Sequence, residues 1–250
     1  MRIQAQWQLF LIALIVVCSV ACHATRVPPH HGCFNPVPTP PAQQLKQGWH
    51  YQLRWPMAQS DTSLQTLTAR SRRGLPLLRS EVRRVSQRQS LSAYAAALRA
   101  VRGFPSALVL NLQPETPLLA TQAIETAQEL GTINQIIIEC TSPSLAHFLR
   151  QNYPDVAILV STRSVDEVYE ALKIVPAPEI VHLDFPWSTE DLIQSIHEAG
   201  SAVLMKTTEG GEDTPQRWKQ LMDLGVDIVM TYTPETFTRS IPRACAAKRK

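Results

Sequence analysis

Residues 107–139 read ALVLNLQPETPLLATQAIETAQELGTINQIIIE, and this stretch decides the fold. It opens on an apolar run, ALVLNL at 107–112, with strand composition. Thr116-Pro117 follows, a capping hydroxyl ahead of a proline at the first helical position. An amphipathic segment then ends at Gly131, where a left-handed residue is least costly. A second apolar run, QIIIE at 135–139, closes the unit. The pattern is strand, helix, strand.

The unit repeats towards the C-terminus. Further apolar runs stand at 156–160 (VAILV), 180–184 (IVHLD), 202–207 (AVLMKT) and 226–231 (VDIVMT), so run ends recur every 21 to 27 residues. Ser142-Pro143 and Thr214-Pro215 repeat the hydroxyl–proline start, Ser164 with Glu167 forms a capping box, and Ser188 with Asp191 a looser one. Gly200 and Gly225 mark two more helix ends. Short apolar strands alternating with helices predict a parallel sheet buried on both faces, hence an α/β fold.

Six such units suit two architectures. An open doubly wound parallel sheet needs no further strands, whereas a (β/α)8 barrel needs two more from residues 43–102. Gln113-Pro114-Glu115 stands where a dinucleotide-binding turn would place glycines, which removes a nucleotide-cofactor fingerprint.

Either fold places ligands at the carboxyl ends of the strands. The candidate pocket residues there are Asn111, Gln113, Glu139, Asp184, Lys206 and Tyr232, with Cys140, Ser161, Thr207 and Thr231 beside them. Glu139, Asp184 and Lys206 together have the chemistry to hold a metal or a phosphate. Ordinary loop polarity and ion pairing is the competing reading for each of them.

These segments resemble, in order and spacing, the glycerophosphodiester phosphodiesterase family of (β/α)8 barrels. Ser90-Leu91-Ser92 is similar to a Thr-Leu-Glu segment ahead of a helix, and Val109-Leu110-Asn111-Leu112-Gln113 to a strand ending in Glu-x-Lys. Cys140-Thr141-Ser142 resembles Ser-Ser-Phe, and Met205-Lys206-Thr207-Thr208 a strand ending in Trp-Thr-x-Asn. Leu224-Gly225-Val226-Asp227-Ile228-Val229-Met230-Thr231, running on to Pro234-Glu235, is similar to Gly-Val-Asp-Gly-Ile-Ile-Thr-Asp-x-Pro. The resemblance spans about residues 90–237 and implies that these are the third to eighth strands. It also implies a His-Arg-Gly and a Glu-x-Asp on the first two strands with a His-Asp just downstream, a calcium or magnesium ion held by carboxylates, and two histidines as acid and base.

Those motifs are not found. His31-Gly32 lacks the arginine and His50-Tyr51 the aspartate. Asn111 stands for the metal-binding glutamate, Gln113 for the lysine and Tyr232 for the aspartate of the last strand. The expectation is a barrel, incomplete or degenerate at its first two strands, with a degenerate catalytic site and no resident metal.

The net charge of +3 conceals a step. Residues 26–102 carry twelve Lys/Arg against two acids, and residues 103–237 six against nineteen. An arginine cluster (Arg70, Arg72, Arg73, Arg79, Arg83, Arg84, Arg88) lies in the basic part. Within it, residues 50–55 (HYQLRW) have strand character and residues 91–101 (LSAYAAALRAV) are read as a helix.

The N-terminus argues for export. Arg2 precedes a nine-residue apolar run at 9–17 (LFLIALIVV), too short to span a bilayer, which needs about 20 residues. With small residues at Ser19 and Ala21 it reads as a signal peptide over residues 1–21; a buried helix is the alternative. Ser19-Val20-Ala21-Cys22 resembles a lipoprotein signal, which implies lipid attachment at Cys22. A free secreted or periplasmic form is the other outcome. Six prolines within 28–41 predict an extended tether over 22–42, where His30-His31 reads as solvated. Residues 43–102 are then a basic segment or barrel start, 103–237 the six βα units, and 238–250 a basic tail. Behind an export signal, a nucleic-acid partner is disfavoured. Anionic lipid headgroups, or the acidic half of the same chain, suit the arginines better.

Three functions compete. The first is an envelope-anchored barrel that binds or scaffolds a small phosphodiester ligand. The second is an active metal-dependent phosphodiesterase with a rebuilt site using Glu139, Asp184, Lys206 and a histidine of the basic segment. The third is a membrane-surface module that binds anionic lipid.

Overall fold

Eight parallel strands close into a barrel in sequence order, with β8 hydrogen-bonded back to β1. The computed structural model describes residues 41–46, 54–58, 63–73, 75–83, 87–183, 188–207 and 213–247. Cys22, His30, His31, His50 and Asp184 lie outside them.

The strands are β1 (Trp55–Ala58), β2 (Leu77–Arg83), β3 (Ala107–Gln113), β4 (Ile136–Cys140), β5 (Ala157–Ser161), β6 (Ile180–Leu183), β7 (Ala202–Lys206) and β8 (Ile228–Thr231). Helix α1 (Pro41–Lys46) precedes the barrel. Around it come α2 (Leu64–Arg72), α3 (Gln87–Val101), α4 (Pro117–Glu129), α5 (Pro143–Asn152), α6 (Val165–Leu172), α7 (Glu190–Glu198), α8 (Pro215–Asp223) and α9 (Pro234–Ala247).

Closure bears out the expected (β/α)8 barrel and decides against the open-sheet alternative and an incomplete start at the first two strands. β1 begins at Trp55, where the HYQLRW stretch ends, and includes Pro56. It pairs with β8 at four positions but with β2 only at Met57↔Leu77. β2 pairs with β3 along its whole length, from Leu77↔Ala107 to Arg83↔Gln113. The arginine cluster hid this strand: Arg79 and Arg83 belong to β2, and Arg70 and Arg72 to α2.

Strand alternation explains why the apolar runs are unbroken. In β3, Ala107 and Val109 face the barrel interior, while Leu108, Leu110 and Leu112 pack outward against the helices. The interior is filled by residues such as Met57, Leu77, Ile137, Leu159, Ile180, Leu204 and Ile228. Helix α1 contributes Ala42 and Leu45 to this interior layer, so it covers the amino-terminal end of the barrel. It also crosses the boundary expected between the tether and the basic segment.

The hydroxyl–proline starts are N-caps as read. The side chains of Thr116, Ser142 and Thr214 accept from Leu119 N, Leu145 N and Arg217 N respectively. Ser164 caps α6, but Glu167 reaches back to Arg163 N rather than to the cap's own N–H. The cap of α7 is Thr189 rather than Ser188, accepting from Leu192 N at 3.2 Å. Helix α3 begins four residues before the expected 91. The α8–β8 turn needs a left-handed residue, and Gly225 supplies it with φ +101°.

Buried polar groups tie the amino-terminal end. Arg150 donates to the carbonyls of Val156, Pro176 and Ala177 and to Glu179 Oε2 at 2.7 Å. Asp227, fully buried, accepts from Val203 N and meets His197 Nε2, both at 2.8 Å. Asp227 belongs to the segment most similar to the family pattern, and its contacts here are structural. Polar residues at this end of a barrel hold the frame rather than the ligand.

The charge step also resolves partly within the chain. Arg70 and Arg73 meet Glu235 at 3.0 and 3.8 Å, and Arg79 meets Glu139 at 2.9 Å.

Candidate functional site

The interior becomes polar at the carboxyl end of the strands. On β2 the inward series passes from Leu77 to Arg79, and on β4 from Ile137 to Glu139. On β5 it passes from Leu159 to Ser161, on β6 from Ile180 to His182, and on β7 from Leu204 to Lys206. One alternation in each strand therefore builds a floor of aliphatic side chains under a ring of polar ones.

The ring is linked. Arg79 Nε donates to Glu139 Oε2 at 3.0 Å and Nη2 to Oε1 at 3.1 Å, a two-pronged guanidinium–carboxylate contact. The Glu139 side chain is 7% exposed and that of Arg79 22%. Ser161 Oγ donates to Glu139 Oε1 at 3.3 Å, and His182 Nδ1 lies 3.4 Å from Ser161 Oγ.

The expected pocket residues separate. Glu139 is central, but its partners are Arg79 and Ser161, not Lys206. Asn111 Oδ1 accepts from Gln113 Nε2 at 3.0 Å, so these two amides pair with each other. Lys206 lies on the inward series of β7, opposite Met230 in register. Tyr232 is half exposed at the rim, with its backbone N–H donating to Asp213 Oδ2 at 2.8 Å. Cys140 faces outward into the helix layer and is fully buried.

Arg79, His182 and Asp213 were not among the residues expected from the sequence. His182 had a visible signal, a polar residue inside the apolar run IVHLD. Arg79 was masked by its basic neighbours. Asp213 becomes recognisable only once β8 is in place. It accepts from Trp218 Nε1, from Thr231 Oγ1, from Thr233 Oγ1 and from the Tyr232 N–H, pinning the end of β8 to the start of α8. Burial pushes its carboxyl up, and the hydrogen bonds from Thr231, Trp218, Tyr232 and Thr207 outweigh that, holding it below the ordinary 3.8.

Nearby, Glu115 closes the N-terminus of α5. Its oxygens accept from Thr141 N and Ser142 N, each at 2.9 Å, and from the Thr141 hydroxyl. That helix end is thus already occupied by an anion.

Solved structures with this barrel include several phosphodiesterases. A glycerophosphodiester phosphodiesterase from Parabacteroides distasonis superposes with a TM-score of 0.59 at 12% identity, over 78% of this chain and 99% of its own. An Oleispira antarctica phosphodiesterase, in complex with the product sn-glycerol-3-phosphate, gives 0.57 at 13% identity over 75% and 96%. The chain has the barrel fold of the glycerophosphodiester phosphodiesterases. An HpcH/HpaI aldolase/citrate lyase family protein from Burkholderia cenocepacia gives 0.55 at 16% identity over 84% and 98%, so the likeness is one of fold. No family model and no curated protein matches the sequence.

The resemblance seen in the sequence implies a divalent ion. A calcium or magnesium site needs several oxygen ligands with carboxylate charge. Among the described residues no three His, Cys, Asp or Glu side chains converge. The Glu139 oxygens are engaged by Arg79 and Ser161, and the Asn111 oxygen by Gln113. These residues do not fit such an ion.

Proposed function

We propose that this barrel binds a small phosphate-bearing ligand at its mouth and does not hydrolyse it by metal-dependent chemistry. The observation that supports this reading is the Arg79–Glu139 contact. A guanidinium faces the buried carboxylate where a hydrolytic site would gather acids around a cation. Arg79 is paired with Glu139 and Lys206 stands on the inward series of β7, Asp213 and Glu115 are taken up by hydroxyl and backbone N–H groups at the rim, and Ser161, His182, Asn111 and Gln113 bring further polar groups. An anion suits that set; a divalent cation does not.

The test is turnover. The purified chain, incubated with glycerophosphocholine and calcium or magnesium, releases no glycerol 3-phosphate and no choline. Sustained metal-dependent release overturns the proposal. A second reading, an active phosphodiesterase with a rebuilt site, draws on the Ser161–His182 contact at 3.4 Å. It predicts turnover that EDTA leaves intact and that Ser161→Ala abolishes.

We further propose that the protein is exported and held at the cell envelope through Cys22, on the strength of the apolar run at 9–17 and Ser19-Val20-Ala21-Cys22. Metabolic labelling with radioactive palmitate tests this; loss of label in Cys22→Ser supports it, and an unlabelled wild-type protein refutes it. Membrane attachment by the arginines is less well supported, because Arg70, Arg73 and Arg79 are engaged by Glu235 and Glu139.

A further inference from the structure

We infer that the Arg79 guanidinium takes the place of a metal ion in this barrel: it is a cation built into the chain, held by Glu139 and presented to a ligand anion. The inference rests on the reading of the mouth as a phosphate-binding site and says which group does the binding.

A carboxylate holds a divalent ion by two oxygens and leaves other coordination positions for the ligand. Glu139 holds Arg79 in the same way. Its two oxygens take Nε and Nη2, at 3.0 and 3.1 Å, along one edge of the planar group. Nη1 makes no hydrogen bond among the described residues. The Arg79 side chain retains 22% exposure, while the carboxylate beneath it retains 7%. The arginine is therefore the more accessible member of the pair, and its Nη1 is not taken up by Glu139.

Three features make this more than a packing salt bridge. Arg79 occupies the inward series of β2, directly above the aliphatic Leu77, at the level where ligands enter a barrel. Ser161 also donates to Glu139 Oε1, the oxygen that Arg79 Nη2 meets, so Glu139 is positioned without the ligand. The planar guanidinium is suited to two-point recognition of phosphate and stays charged at any working pH, unlike a dissociable ion.

The consequence is that anion affinity does not depend on added metal. Isothermal titration of the full chain with inorganic phosphate and with sn-glycerol 3-phosphate, in EDTA and then in calcium, tests it. The expected dissociation constants agree within about twofold between the two conditions, given that no ion contributes. Arg79→Gln is expected to weaken binding by about tenfold or more, the size of a lost hydrogen bond to a charged group. Arg79→Lys is expected to restore part of the affinity, because it keeps the charge without the planar edge. Thermal melting identifies any variant that does not fold, and in that event the wild-type comparison in EDTA and calcium decides alone. A purely structural role for Arg79 would shift the melting temperature of the glutamine variant and leave its affinity unchanged, which overturns the inference. Binding that appears only with calcium overturns the inference and leaves the ligand class standing. No binding by the wild type in either condition removes both.

Discussion

Arg79 on β2 and Glu139 on β4 are sixty residues apart in sequence and meet across β3 through two hydrogen bonds. Removing one partner strands the other in the mouth. Arg79→Met is expected to destabilise the fold by about 2–4 kcal/mol, below the fully buried limit because the arginine is partly solvated. The double variant Arg79→Met/Glu139→Met should recover most of that loss, since matched apolar side chains replace a buried pair at little cost. Urea denaturation of the two single variants and the double completes the cycle; additive losses would show that the pair is not coupled.

Asp213 governs acid stability at the rim. Its carboxyl is held below the ordinary 3.8 by hydrogen bonds from Thr231, Trp218, Tyr232 and Thr207. A depressed folded value contributes stability that is fully present above the unfolded value and is lost as pH falls through the folded one. Glu235, half-buried and bonded to Arg70, is lowered in the same direction from 4.5. Stability should therefore decline as pH falls below about 4. Asp213→Asn should make that decline shallower while lowering stability at pH 7. Melting temperatures from pH 2 to 7 measure both.

Gly225→Ala should be costly for two separable reasons. The residue sits at φ +101°, and an added Cβ would stand 3.3 Å from Ile193 Cγ2. A loss of about 1–3 kcal/mol is expected, set against the small gain that alanine brings where glycine's φ is ordinary. Gly103→Ala is the control, with φ +83° but nothing within 4 Å of the new Cβ. A smaller loss at Gly103 isolates the steric part.

Cys140 should be chemically inert in the native protein. Burial pushes its thiol up, Glu115 and to a lesser degree Glu139 add to the effect, and Arg150 opposes them. Alkylation by iodoacetamide at pH 8, read by peptide mass spectrometry, should label Cys140 only under denaturing conditions. Labelling at native rates would place the residue outside the helix layer.

The outer shell was readable because its rules are local. Thr116, Ser142 and Thr214 cap their helices through bonds that reach three residues along the chain. The strands of 107–231 announce themselves by composition, since a parallel strand buried on both faces is apolar over most of its length and confines charges such as Glu139 and Lys206 to its carboxyl end. Where that condition fails, reading fails too. β1 has only four residues and includes Pro56, and β2 carries Arg79, Glu81 and Arg83 near its carboxyl end. A strand that supplies polar residues to a mouth is disguised by those same residues.

The sequence by itself therefore determined an α/β chain of repeated strand–helix units, its helix starts and the level at which ligands would meet it. Tertiary structure decided that the sheet closes, that α1 covers one end and that Arg79 belongs to Glu139. The reason is physical. Caps and periodicity act over one turn or one strand, whereas the partner of an inward side chain depends on strand order, register and closure. Those are properties of the whole barrel.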